Sequence, residues 1–145
     1  MALQIWMPLN GDAHNQGLTE ISTVGSPAFV NGGILGYAFG NNSLAIPNFS
    51  AISCLSDGHS FTFCFWIKPT TASQTVTFFD CGNSTGTGTR LHFAMNSNKF
   101  RFGFRADDLD GPTLTTSWSH IACVYDGSKK YIYYNGVLNT SATSG

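Results

Sequence analysis

The strongest pattern along the chain is alternation with a period of two. From Ser60 to Lys68, Phe61, Phe63, Phe65 and Ile67 fall on one side and Thr62, Cys64, Trp66 and Lys68 on the other, which is the period of a β-strand, and Pro69 ends the run. A strand that is apolar on one side and carries Cys and Trp on the other belongs inside a sheet, with its second face lined as a groove would be. Phe100, Phe102 and Phe104 alternate in the same way with Arg101, Gly103 and Arg105. Leu91 to Met95 precedes them, and Asn96-Ser97-Asn98 between the two runs predicts a hairpin. A second hairpin is predicted for His120 to Tyr125 and Tyr131 to Tyr134, turning at Asp126-Gly127-Ser128-Lys129. Asn135-Gly136 supplies the two positive-φ positions of a type I′ turn and leads into Val137-Leu138.

Fainter signals complete the series. Leu3 to Leu9 is closed by Asn10-Gly11-Asp12, and Phe29-Val30, Tyr37 to Phe39, Leu44 to Ile46 and Val76 to Phe79 are further short runs among glycines and prolines. Gly, Pro, Asn or a Ser/Thr cluster interrupts nearly every window long enough for an amphipathic helix. Many short strands between turn residues predict an all-β antiparallel sandwich or jelly roll.

Composition narrows the setting. A length of 145 residues fits one domain. Charged residues make up only 10% of the chain, so Gly, Ser, Thr and Asn must supply the polar surface. A net charge of -1, with Arg90, Lys99, Arg101 and Arg105 as the one basic enrichment, argues against nucleic acid as a partner. No run approaches the roughly 20 apolar residues of a membrane span, and Met1 to Leu9 lacks a basic leader, so neither membrane insertion nor a signal peptide is expected. Cys54, Cys64, Cys81 and Cys123 form no C-x-x-C pair, which predicts free thiols, those of Cys64 and Cys123 buried in strands.

Three segments carry a resemblance. Gly36-Tyr-Ala-Phe-Gly40 with Leu44-Ala-Ile46, Ser60-Phe-Thr-Phe-Cys-Phe-Trp-Ile-Lys-Pro69, and Trp118-Ser-His-Ile-Ala-Cys-Val-Tyr-Asp-Gly127 running through Tyr133-Tyr-Asn-Gly-Val-Leu138 resemble the laminin G-like members of the concanavalin A-like lectin and glucanase superfamily. The resemblance implies a two-sheet antiparallel jelly-roll sandwich over residues 1–139. It also implies that the concave face or loop rim binds glycan or protein, often with calcium at the rim. The last one or two strands usual in the family find no match. Residues 140–145 are therefore expected to be a flexible tail or the start of a continuation, unless another subunit supplies the missing edge. Low charge and abundant Ser, Thr, Asn and Gly also resemble bacteriophage virion or tail-surface proteins, assembled in the host cytoplasm.

The residues themselves point away from catalysis. Glycosidases of this superfamily need paired carboxylates across the scissile bond, and Glu20 is the sole glutamate. Trp66, with Arg101 and Arg105, is the candidate ligand site, because an aromatic face stacks on a pyranose and guanidinium donates bidentate hydrogen bonds; a Trp half-buried beneath a loop is the alternative. Asp107, Asp108 and Asp110 offer three carboxylates to a hard cation such as calcium, or else form an ordinary solvated turn. His14, His59, His92 and His120 are spread apart and read as structural or surface residues. Two roles follow: a non-catalytic module binding a glycan or cell-surface receptor, or a structural virion protein that binds other virion proteins or itself through an exposed β edge.

Overall fold

The computed structural model describes residues 29–33, 36–39, 60–82, 88 and 90–145. The expected strands Leu3 to Leu9 and Leu44 to Ile46 lie outside the described residues, as do Cys54, His14 and His59. The chain divides into two units, Met1–Ile52 and Ser53–Gly145. In the first, β1 (Phe29–Gly33) pairs antiparallel with β2 (Gly36–Phe39), with Val30 opposite Ala38.

The second unit is all strand and turn among the described residues. It comprises β3 (Phe61–Ile67), β4 (Val76–Gly82), β5 (Arg90–Asn96), β6 (Lys99–Phe104), β7 (Asp107–Thr113), β8 (Ser119–Tyr125), β9 (Lys129–Tyr134) and β10 (Val137–Thr143). They form two antiparallel four-stranded sheets, ordered β10-β9-β8-β3 and β4-β5-β6-β7. The chain passes from the first sheet to the second between β3 and β4, and returns between β7 and β8. This is the sandwich that the alternation predicts.

Turn chemistry fixes the hairpins. Ser97 (φ 59°) allows β5 to reverse into β6, while Asn135 (φ 49°) and Gly136 (φ 83°) take the paired positive φ values that close β9 onto β10. Between β8 and β9, Asp126 Oδ1 accepts the backbone N–H groups of Lys129 (2.7 Å) and Ser128 (2.9 Å), and Tyr131 donates its hydroxyl to Oδ2 at 2.9 Å. Those donors favour the ionised carboxylate and hold Asp126 at about 2.

The core is an interlock of phenyl rings. The alternation of β3 sends Phe61, Phe63 and Phe65 inward, where they meet Phe93, Phe100, Phe102 and Phe104 of the facing sheet. Ring centroids lie 5.1 Å apart for Phe63 and Phe93, 5.9 Å for Phe65 and Phe100, and 6.2 Å for Phe61 and Phe102. Ile121, Cys123 and Ile132 floor the cluster from β8 and β9 and are completely buried. Burial pushes the Cys123 thiol well up, which keeps it protonated. Cys123 is thus the free, buried cysteine expected, whereas Cys64 points away from the core and is exposed.

Two segments depart from expectation. Residues 140–143, expected as a flexible tail or the start of a continuation, are not a loose tail but the second half of β10, with Thr140 opposite Ile132 and Ala142 opposite Lys130. Ala142 packs on the core, and Ser144 donates its N–H to Ser128 O at 2.8 Å. Small uncharged residues carry little periodic signal, yet they pair readily beside a strand already in place. The acidic run from Asp107, one reading of which was a solvated turn, is strand β7 instead. The reversal itself sits one step earlier, at Ala106 (φ 62°).

One inward position is a lysine. Lys130 follows the inward parity of Ile132 and is fully buried; its Nζ lies 2.5 Å from Asp107 Oδ1 and donates to the Asp107 carbonyl oxygen at 2.5 Å. The ammonium also sits 5.6 Å from the centre of the Phe104 ring. The Ser144 hydroxyl donates to the other carboxylate oxygen. Burial pushes the Asp107 carboxyl up, but the hydrogen bonds from Lys130 and Ser144 outweigh it and bring it below its ordinary value.

Removing one partner should therefore cost far more than removing the charge altogether. Asp107→Ala leaves a buried ammonium unpaired and is expected to destabilise the domain by about 3–5 kcal/mol, whereas the double variant Lys130→Met/Asp107→Ala, which leaves neither charge behind, should stay within about 1–2 kcal/mol of the parent, as urea unfolding will show. Because the folded-state value of Asp107 is depressed, its contribution is present above the ordinary 3.8 and lost as pH falls through the folded value. The parent's melting temperature should accordingly drop below about pH 4, and that acid limb should be shallower in Lys130→Met.

Candidate functional site

The outward face of β4-β5-β6-β7 carries the densest charge among the described residues. Inward Phe100, Phe102 and Phe104 leave Arg101 and Gly103 facing out from β6. The register sets Asp80 opposite His92, His92 opposite Gly103, Gly103 opposite Asp108, and Arg101 opposite Asp110. One row of the sheet therefore reads Asp80, His92, Gly103, Asp108.

The glycine in that row is what allows the two sides to meet. A Cβ on Gly103 would overlap Asp108 Oδ1 and come within 2.9 Å of His92 Cε1. Without it, Asp108 leans across the strand until Oδ1 is 3.1 Å from His92 Nε2. The other ring nitrogen, Nδ1, lies 3.3 Å from the Arg90 carbonyl oxygen.

Arg101 is wholly committed within the sheet. It donates through Nε to Asp110 Oδ1 at 2.7 Å, through Nη2 to Asp110 Oδ2 at 3.1 Å, and through Nη1 to Asp108 Oδ2 at 3.0 Å. The fork holds Asp110 below the usual carboxylate range and raises the guanidinium in turn. Arg90 grips Asp80 in the same two-pronged way, with Nε at 2.6 Å from Oδ1, and lowers that carboxyl too.

Beside these pairs lies an open cleft of about 230 Å³, lined by Thr77, Asp80, Arg90, His92, Arg105 and Ala106. Arg105 is exposed and, among the described residues, its side chain has no partner. Carboxylates kept ionised by guanidinium accept hydrogen bonds and do not donate protons. The cleft therefore presents acceptors from Asp80, a hydroxyl from Thr77 and an open guanidinium fork from Arg105, groups that can exchange hydrogen bonds with hydroxyls.

The structure brings together only part of the expected site. Arg101 and Arg105 share this face, but Trp66 faces outward from β3 in the other sheet, on the far side of the sandwich, with 53% of its surface exposed. Its indole meets the His120 ring edge-on at 5.2 Å. The second face of β3, expected to be lined, is open at Thr62, Cys64 and Trp66. Strand parity likewise divides the acidic run: Asp107 turns to Lys130, while Asp108 and Asp110 turn to Arg101. Among the described residues no three His, Cys, Asp or Glu side chains gather as a metal site would require. Ser119 and His120, adjacent in sequence, point to opposite faces; the Ser119 hydroxyl lies inside, 3.2 Å from that of Tyr134.

Asp80, Arg90 and His92 were not among the expected site residues: Arg90 entered only as part of the basic enrichment, and His92 as a structural or surface histidine. The expected strand Val76 to Phe79 stopped one residue short of Asp80. A register shift between Thr77 and Phe79 then sets which residues of β4 meet β5, and no local pattern announces it.

Gly103→Ala should separate Asp108 from His92. We expect a loss of about 1–3 kcal/mol in stability together with a clear shift of the His92 ring resonances in NMR spectra, whereas unchanged resonances would mean that the contact does not depend on the missing Cβ.

Comparison with known proteins places residues 39–145 within a laminin G family described as belonging to the concanavalin A-like lectin/glucanases superfamily. No curated protein and no solved structure matches the chain.

Proposed function

Because the chain belongs to the concanavalin A-like lectin/glucanases superfamily, we propose that it is a non-catalytic binding module whose ligand, a glycan or the glycan of a cell-surface receptor, sits on the outer face of β4-β5-β6-β7. The observation that carries this reading is the open cleft in which Arg105 is the uncommitted charged group beside hydroxyl and carboxylate partners. Hydroxyl-rich ligands are recognised by planar groups of fixed orientation, and Arg90 and Asp80 hold each other in place before any ligand arrives. The low charge and the Ser, Thr, Asn and Gly content favour the surface of a bacteriophage virion as its setting.

A second reading, a structural virion protein joined to other subunits through a β edge, draws support from β10. That strand ends its sheet among the described residues, and Val137–Thr143 contains neither charge nor proline to guard an edge.

A glycan array followed by calorimetry on the best binder separates these readings. Arg105→Ala is expected to weaken binding by tenfold or more while leaving the melting temperature within a degree or two, since its side chain has no described partner to lose. Arg101→Ala should lower the melting temperature instead. Failure to retain any glycan, or full affinity in Arg105→Ala, would overturn the proposed site.

A further inference from the structure

The two outer faces of the sandwich differ in kind. On β4-β5-β6-β7 the outward side chains include Asp80, Arg90, His92, Arg101, Asp108 and Asp110, paired ion to ion. On β10-β9-β8-β3 the register builds three outward rows: Thr62, Val124, Tyr131 and Ser141; Cys64, Ala122, Tyr133 and Leu138; and Trp66 with His120. No Asp, Glu, Lys or Arg stands in any of them. Charge returns only at the margin, at Lys68, Asp126 and Lys129.

This face also has relief. Cys64 and Ala122 are small and lie side by side in the middle row. Trp66, 53% exposed, stands beside that hollow on β3, and on its other side come Tyr133 from β9 and then Leu138, 50% exposed, from β10. An uncharged centre with a charged margin is the anatomy of a protein interface. A surface carrying both a hollow and a projection can also meet its own copy across a two-fold axis, each projection entering the other's hollow.

We propose that the outward face of β10-β9-β8-β3 is a self-association surface, on which a second copy of this chain packs back to back through Trp66, Ala122, Tyr133 and Leu138. Electrostatics favours a second copy over other occupants. A charged partner would have to strip water from ions and find no counter-ion on the three rows, whereas this face set against itself buries no charge at its centre. Sheets packed face to face stand about 10 Å apart, which leaves room for indole and phenol rings between them. From a strand spacing of about 4.8 Å and a rise of about 3.3 Å per residue, the patch measures about 20 Å on a side. Over both copies that is about 800 Å², smaller than a standard interface, so the pair is expected to be weak and transient. The inference is independent of the glycan reading, which concerns the opposite face.

The test is light scattering behind size exclusion on the full chain from about 1 to 500 µM, beside Ala122→Lys and Leu138→Asp, with melting temperatures to confirm that both variants fold. The expected result is a monomer to dimer transition for the parent, shifted at least tenfold to higher concentration in both variants. Alkylation of Cys64 by iodoacetamide, followed by peptide mapping, is an independent readout. Cys64 is exposed in the single chain, so its labelling should slow as the parent dimerises and stay fast in the variants. A parent that remains monomeric throughout overturns the proposal. So does a dimer that both variants leave intact, which would move the contact to the β10 edge. A monomer whose Cys64 is already protected overturns it as well, because another part of the same chain would then cover the face.

Discussion

The interlock of Phe61, Phe63 and Phe65 with Phe93, Phe100, Phe102 and Phe104 is the constraint from which the rest of the second unit follows. Seven large rings from two sheets must enter one interior at packing density, and a strand has only two faces. Once those rings turn inward, the parity of their neighbours is settled. Arg101 and Gly103 go outward on one side of the sandwich, and Cys64 and Trp66 go outward on the other. The arrangement of charge outside is thus a consequence of how aromatic volume is filled inside.

That division also explains the one polar intrusion into the interior. Lys130 shares the inward parity of Ile132 and Tyr134, so its ammonium is carried beneath the sheet whether or not water can follow. Asp107 at the start of β7 neutralises it, with Ser144 closing over the carboxylate from beyond β10. The pair lies where β7 and β10 approach each other, and it ties the side of the sandwich to which its position on β9 commits it. An ion pair of this sort adds little net stability compared with an apolar substitute, but it fixes which strand ends lie together.

Much of the fold was legible because its signals are local. The turns at Asn96-Ser97-Asn98, Asp126 to Lys129 and Asn135-Gly136 are set by side chains within a few residues, and all three form where expected. The site was less legible because it depends on register. Asp80 meets Arg90 only after the shift between Thr77 and Phe79, and Asp110 meets Arg101 only beside a second shift between Lys99 and Arg101. Parity within a strand could be read from the sequence, but the sheet to which each strand belongs could not. Trp66 and Arg101 both face outward as the alternation requires, and they still look in opposite directions. The acidic run misled for a related reason: with Leu109 as its one large apolar residue, β7 shows too little alternation to be told from a turn.

The opposed orientation of the two outer faces has a geometric consequence. A pair of copies joined through the uncharged face would hold its two clefts antiparallel, pointing away from each other on either side of the particle. Such a pair cannot grip one flat surface with both sites at once. It would gain no avidity from a second site on the same surface, but it could join two separate bodies as a rivet does, each held by one site.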